Sequence, residues 1–311
     1  HPARAAVLRP VTAAVLALLA GLDVPSAAEP PQLPAPPPPS PPPPDREPPR
    51  PSTTPPWQTR RSAMPELVAS EVGHDAVFHA GDLVGGRFRI EHLLGSGGMG
   101  EVYSVVDETD GARFALKTLH TPGSSRSALE QRFAREAELL CSLRHPAVAR
   151  LHHSGVDDGR PYFTMTLLHG ETLAQRLARG PMTEAEVRPL VATLCDALDF
   201  IHARGVIHRD LKPSNVFLTP DGAVLTDFGL ARPIDISHSS LSESSQVLGT
   251  LSYAAPEQLL GTEVTPRTDV YALAVVAFEA LTGRLPFDGE SPLAQGVARL
   301  SQDPLRITEV A

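Results

Sequence analysis

The chain has 311 residues, 41% of them apolar, enough for one or two domains with a sizeable core. Its net charge of −9 and pI of about 5.7 speak against a nucleic-acid partner, for which a basic face is expected. Cys141 and Cys195 are too few for a disulfide framework and read as two buried thiols, and no Cys/His spacing suits a structural metal.

In chain order, Arg4 and Arg9 precede an apolar run from Val11 to Leu22, which small residues Ser26, Ala27 and Ala28 follow. The pattern imitates a secretory signal peptide, and the run is too short for a comfortable membrane span. An Ala/Leu-rich stretch without structural meaning is the preferred reading. Of the 33 prolines, 16 crowd into Glu29–Pro56, including Pro36–Pro39 and Pro41–Pro44. Proline fixes φ and removes a donor, which leaves polyproline II or disorder. The segment reads as a spacer, with a ligand for proline-recognition domains as the alternative. Trp57 to Asp82 reads as a poorly ordered lead-in. His1 and Ala311 read as the arbitrary ends of a fragment.

Composition changes near Gly86. Strands are predicted at Phe88–Leu94, Val102–Asp107 and Arg113–Leu119, with a Gly/Asp turn at Asp110-Gly111. A helix follows over Ser127–Arg144, then strands at Ala147–Ser154 and Tyr162–Leu167. Helices are predicted at Leu173–Ala178, Glu184–Ala203 and Asp269–Thr282, with a short β-type run Val216–Leu218 between. Strands first and helices later predict an α+β protein of two lobes. The expected division is 1–86 largely disordered, 87–168 the β-rich lobe and hinge, and 169–311 the helical lobe.

Gly95, Gly97 and Gly100 form G-x-G-x-x-G between two β-type runs. Glycine lets backbone amides approach phosphate oxygens with no Cβ in the way. A dinucleotide fingerprint would open a helix. Here Glu101–Val105 is β-like, which favours a hairpin lying over a nucleotide, or a turn-rich hairpin with no ligand. Strand alternation puts Ala115 and Lys117 on one face, where a cation beside a small residue suits phosphates next to a base. A solvated lysine is the bland alternative. Leu129, Phe133, Ala137 and Leu140 mark a buried helix stripe that includes Glu136. A carboxylate there needs a partner, for which Lys117 is available, or an edge position that reaches water.

The run His208-Arg209-Asp210-Leu211-Lys212-Pro213-Ser214-Asn215 follows a helix stop at Gly205. Asp210 can act as a base, Lys212 can hold developing phosphate charge and Asn215 can ligate a metal. Twelve residues on, Asp227-Phe228-Gly229 offers a further carboxylate for Mg2+.

With these runs in order, residues 87–311 resemble a Hanks-type serine/threonine protein kinase of the bacterial branch. The resemblance adds Ala255-Pro256-Glu257 as the end of an activation segment and Asp269 as a brace beneath the catalytic loop. It implies that Leu94, Gly95, Ser96, Gly97, Gly98, Met99 and Gly100 cover ATP. Lys117, fixed by Glu136, would hold the α- and β-phosphates. Val102, Ala115 and Phe217 would sandwich the adenine, with Met165 as gatekeeper and the backbone of Thr166 and Leu168 on the purine edge. Asn215 and Asp227 would hold Mg2+ (or Mn2+), Asp210 would accept the acceptor's proton and Lys212 would stabilise the transferred phosphoryl group.

Lys212, two places after Asp210, and Gly249-Thr250 favour serine or threonine over tyrosine as the acceptor in protein substrates. The serines between Gly229 and Thr250, namely Ser237, Ser239, Ser240, Ser242, Ser244 and Ser245, are expected autophosphorylation sites that pair with Arg209, with Thr250 a second candidate and a flexible polar loop the alternative. The full motif set disfavours a pseudokinase-like scaffold. The resemblance further implies a cytoplasmic catalytic domain, and a helical lobe whose last helices are missing, so that Glu257 lacks its arginine partner.

Overall fold

Alternation along the strands sorts side chains onto two faces, and this organises the first lobe. The computed structural model describes residues 76–97, 100–118, 137, 139–228, 251–287, 289 and 291–307. Strands β1 (Leu83–Val84), β2 (Phe88–Gly97), β3 (Gly100–Asp107), β4 (Arg113–Thr118), β5 (Leu151–Asp157) and β6 (Arg160–Thr166) form an antiparallel sheet of order β1-β2-β3-β4-β6-β5. One face is sealed by Val84, Phe88, Ile90, Tyr103, Val105, Leu116 and Tyr162. Ala115 and Met165 point the other way, into the large core shared with the helices.

The second lobe is built on α1 (Leu173–Leu177), α2 (Glu184–His202), α3 (Pro256–Leu259), α4 (Pro266–Thr282) and α5 (Pro292–Ser301). A small sheet of β7 (Glu171–Thr172), β8 (Val216–Thr219) and β9 (Gly222–Leu225) joins them. Helix α2 buries Val187, Leu190, Val191, Leu194, Leu198 and Ile201 on one stripe, and Glu186 reaches back to the Thr183 amide at 2.8 Å to close its first turn. Helix α4 buries nearly every residue from Ala272 to Ala280, as a central helix must. It stops at Gly283, whose φ of 70° is left-handed.

The strand expected at Ala147–Ser154 begins only at Leu151. Residues 147–149 pair instead with the end of β9: Leu225 N donates to Ala147 O and Ala149 N to Leu225 O, tying the two lobes together. The helix expected at Asp269 starts at Pro266, because proline is favoured at the first helical position and Thr265 caps it. Helix α5 was not anticipated; Gly296 interrupts its pattern. The lead-in is also partly ordered. Leu83–Val84 adds an edge strand, Val77 N donates to Glu101 Oε2 at 2.9 Å, and the Phe78 ring meets Tyr103 edge-on at 5.9 Å. Ordered chain therefore starts upstream of the composition change at Gly86.

Cys195 is buried and Cys141 only half-buried, both as free thiols; burial pushes Cys195 up to about 11. The signal-like run, the proline-rich segment, most of the helix expected at Ser127–Arg144 and the serine-rich stretch lie outside the described residues. Among the described residues no helix is long and apolar enough to cross a membrane.

Candidate active site

Strand β4 delivers Lys117 to the cleft face beside Ala115, and its side chain is nearly buried. Lys117 Nζ lies 2.7 Å from Asp227 Oδ1. The partner expected for Lys117, Glu136, lies outside the described residues, as do Gly98, Met99 and Gly229. Asp227 stands two residues past the end of β9 and adopts φ 56°, a left-handed backbone that a non-glycine residue holds only under constraint. The constraint is local: Thr226 donates its amide (2.9 Å) and its hydroxyl (3.2 Å) to Asn215 O. This draws Asp227 towards the 3-10 turn Pro213–Asn215.

Asn215 in turn grips Asp210, its Nδ2 donating to Asp210 O at 2.7 Å and to Oδ2 at 3.0 Å. Lys212 Nζ stands 3.1 Å from the same Oδ2. Asp210 Oδ1 is buried with no hydrogen-bond partner among the described residues. A buried carboxylate oxygen left open normally costs stability, so it marks a site held ready for something that binds there. Lys117, Asp210, Lys212, Asn215 and Asp227 thus converge where the lobes meet.

The loop carrying Asp210 is held from below. Asp269, 1% exposed in the first turn of α4, accepts from the amides of His208 (Oδ2) and Arg209 (Oδ1), both at 2.8 Å. His202 Nε2 lies 2.7 Å from its Oδ2. Arg209 sits at φ 66°, and Gln258 Nε2 donates to its carbonyl at 2.7 Å. His208 donates Nε2–H to Thr226 O at 2.9 Å and meets the Phe228 ring at a tilt of 42°, with centroids 4.9 Å apart. That bond fixes the histidine tautomer and couples the two motif runs.

Above the cleft, the β2–β3 hairpin pairs Gly95 with Val102, Ser96 with Glu101 and Gly97 with Gly100, with an irregularity between Leu93 and Gly95. Leu94 and Val102 pack against the core that contains Ala115 and Met165. Phe217, half-buried, lies between the buried Val216 and Leu218 and so faces the opposite side of β8, outside that core. The Thr166 amide donates to Arg150 O at 3.0 Å, so of its backbone groups only the carbonyl can serve a ligand; Leu168 is half-buried next to it.

The donor set fits Mg2+. Asp227 and Asn215 offer hard oxygens, and among the described residues no group of three or more His, Cys, Asp or Glu could form a complete protein cage. Mg2+ commonly takes one or two carboxylates and completes its shell with phosphates and water.

Beside the loop that carries Asp210, Leu177, Pro213, Tyr253 and Glu279 line a cavity of about 260 Å3. Tyr253 donates to Glu279 Oε2 at 2.7 Å. Burial pushes both groups above their ordinary values, and the carboxylate raises the phenol further. Glu257 Oε1 accepts from the Thr268 hydroxyl at 2.5 Å, a neutral partner where an arginine was expected to be wanting. The buried arginine of this region is Arg299 on α5, which reaches carbonyls of the segment just before Ala255. Sequence reasoning passed over Gln258, Glu279 and Arg299. The only signal for Glu279 was a carboxylate inside an apolar helical stretch.

The protein kinase domain family matches residues 88–309. The chain is 42% identical over 212 residues to serine/threonine-protein kinase pkn2 of Myxococcus xanthus, covering 67% of this chain and 26% of that protein. It is 37% identical over 231 residues to serine/threonine-protein kinase PknA of Mycobacterium tuberculosis, covering 72% and 53%. The chain therefore spans about a quarter to a half of the length of these relatives. Among solved structures, the PknI kinase domain of Mycobacterium tuberculosis (C20A mutant) aligns with TM-score 0.58 and 31% identity, over 75% of this chain and 84% of that one.

Proposed function

The chain belongs to the protein kinase domain family, and from that premise we propose that it transfers the γ-phosphate of ATP to serine or threonine hydroxyls of protein substrates. The observation that carries the reading is the convergence of Lys117, Asp210, Lys212, Asn215 and Asp227, with Asp210 Oδ1 buried and open.

Phosphoryl transfer asks a protein for positioning and charge neutralisation more than for covalent chemistry. In this reading the Gly95–Gly100 hairpin covers the phosphates and Lys117 holds them. Leu94, Val102, Ala115 and Met165 enclose the adenine, with Phe217 closing it from the other lobe. Asn215 and Asp227 hold Mg2+, which when bound neutralises phosphate charge. Asp210 Oδ1 orients the acceptor hydroxyl and takes its proton, while Oδ2 stays engaged with Asn215 and Lys212. Lys212 stabilises the moving phosphoryl group. The kinase unit comprises a β-rich lobe ending at the hinge 166–168 and a helical lobe after it. Autophosphorylation between Gly229 and Thr250, paired with Arg209, belongs to the same reading.

The test is radiolabelled ATP transfer to myelin basic protein by the wild-type chain and Asp210→Asn. A loss of about 10²–10⁴-fold in the variant fits a general base. Equal incorporation in both overturns the assignment.

A further inference from the structure

Residues 251–254 run between the end of the serine-rich stretch and helix α3. Leu251 is helical and residues 252–253 form a turn after it, where Ala254 N reaches Leu251 O at 3.4 Å. The carbonyls of this segment are collected by one side chain. Arg299 Nη1 donates to Leu251 O at 2.8 Å and Ala254 O at 2.7 Å, and Nη2 donates to Ser252 O at 2.5 Å. Arg299 is 5% exposed, lies near the Phe287 and Tyr271 rings (5.4 and 5.9 Å to the centroids), and makes no ion pair with a carboxylate among the described residues.

A guanidinium buried with no carboxylate partner among the described residues is costly, and burial here pulls its proton affinity down. Hydrophobic packing alone would be served better by leucine or methionine. What arginine adds is a rigid planar fork that satisfies several acceptors at once.

A second contact comes from the same face of α5. Gln295, four residues before Arg299, accepts from the Ser252 hydroxyl at 2.9 Å. Between Ser252 and Ala254, both held by α5, Tyr253 points to α4 and bonds Glu279. At the far end Gln258 accepts from the Ala255 amide at 3.0 Å and donates to Arg209 O at 2.7 Å. Arg209 adjoins Asp210. A continuous series of hydrogen bonds therefore runs from α5, through 251–255, to the residue beside the proposed base.

We propose that Arg299 is a positioning residue for the protein acceptor: by clamping the carbonyls of Leu251, Ser252 and Ala254 it holds this segment as a preformed ledge beside Asp210. The proposal rests on the phosphotransfer reading above. It places the selectivity for acceptor binding partly on α5, which contributes no residue to the proposed ATP cleft. The segment carries its own orphan carbonyls to Arg299, so loss of the fork frees the ledge while leaving the ATP cleft intact.

The test uses the 311-residue chain as wild type, Arg299→Met, Arg299→Lys and Gln295→Ala. Steady-state kinetics with ATP and myelin basic protein separate the KM values, and hydrogen exchange reads the amides of 251–260. Arg299→Met is expected to raise the KM for myelin basic protein about tenfold, with the KM for ATP changed less than about twofold. Exchange over 251–260 should rise about tenfold while the α2 amides keep their protection. Arg299→Lys should restore part of both effects, since an ammonium lacks the fork, and Gln295→Ala should shift both in the same direction by less.

An unchanged KM for myelin basic protein, or unchanged exchange at 251–260, overturns the proposal. So does a uniform rise in exchange through α2 and α4, which would make Arg299 a general stabilising residue. Should Arg299→Met fail to fold, Gln295→Ala and Arg299→Lys decide by the same two readouts. A wild-type chain that transfers no phosphate would sink the phosphotransfer reading by itself, and exchange at 251–260 would still decide whether Arg299 clamps the segment.

Discussion

Asp269→Asn changes one buried oxygen to an NH2 group and alters almost nothing else in shape. The native carboxylate accepts from His208 N, Arg209 N and lies 2.7 Å from His202 Nε2, all at a residue 1% exposed. The two backbone amides approach different oxygens, so however the asparagine amide turns, one N–H faces a donor. A buried N–H left unpaired costs about 1–3 kcal/mol. The surviving bonds lose their charge assistance, which roughly halves their strength. Together these terms give about 2–4 kcal/mol, a large share of the roughly 5–15 kcal/mol of a typical domain.

For a domain of this size about 1 kcal/mol moves Tm by about 2–4 °C, so a fall of about 4–16 °C is expected. Activity should suffer as well, because the Arg209 backbone at φ 66° is held by Asp269 and Gln258. A left-handed non-glycine residue stores about 1–3 kcal/mol, and with the Asp269 bond gone it can relax and carry Asp210 out of place. Urea melts give the stability change and transfer from labelled ATP gives kcat. A variant within about 0.5 kcal/mol of wild type and with unchanged kcat would refute the bracing argument.

The same measurements test two further positions. Gly170 lies just past the hinge with φ +146°, and a Cβ there would stand 2.0 Å from Leu218 O. Gly170→Ala is expected to cost more than the about 1–3 kcal/mol of backbone strain alone, because the obstacle is backbone. Gly180→Ala, at φ +117° with open space around its Cβ, carries the strain only and should be milder; equal costs would contradict the clash. For Glu279, burial raises the carboxyl above its ordinary value. The folded state then binds the proton more tightly than the unfolded chain, so this contribution is full below the unfolded carboxyl value and is lost as pH rises through the folded one. Glu279→Gln, which keeps an acceptor for Tyr253, should therefore gain stability relative to wild type between acidic and neutral pH. A Tm difference that stays flat across that range would refute it.

The sequence by itself determined the fold class and the chemical inventory. Period-two runs produced the strands Phe88–Gly97, Gly100–Asp107 and Arg113–Thr118, and the stripe from Val187 to Ile201 produced a helix within a residue of its expected end. The runs His208–Asn215 and Asp227-Phe228 were legible because the groups they carry must work within a few ångströms of each other, and short loops are the simplest way to keep them there. Tertiary structure alone decided what those runs touch. It brought Lys117 to Asp227, set Asp269 under residues some sixty positions away, and turned residues 147–149 from a predicted strand into a tie between lobes. It also supplied Glu257 with Thr268 and gave Arg299 to the carbonyls of 251–254. Such pairings depend on how separated elements pack, and a hydrogen-bonding side chain in sequence does not specify which distant acceptor packing will bring within 3 Å of it.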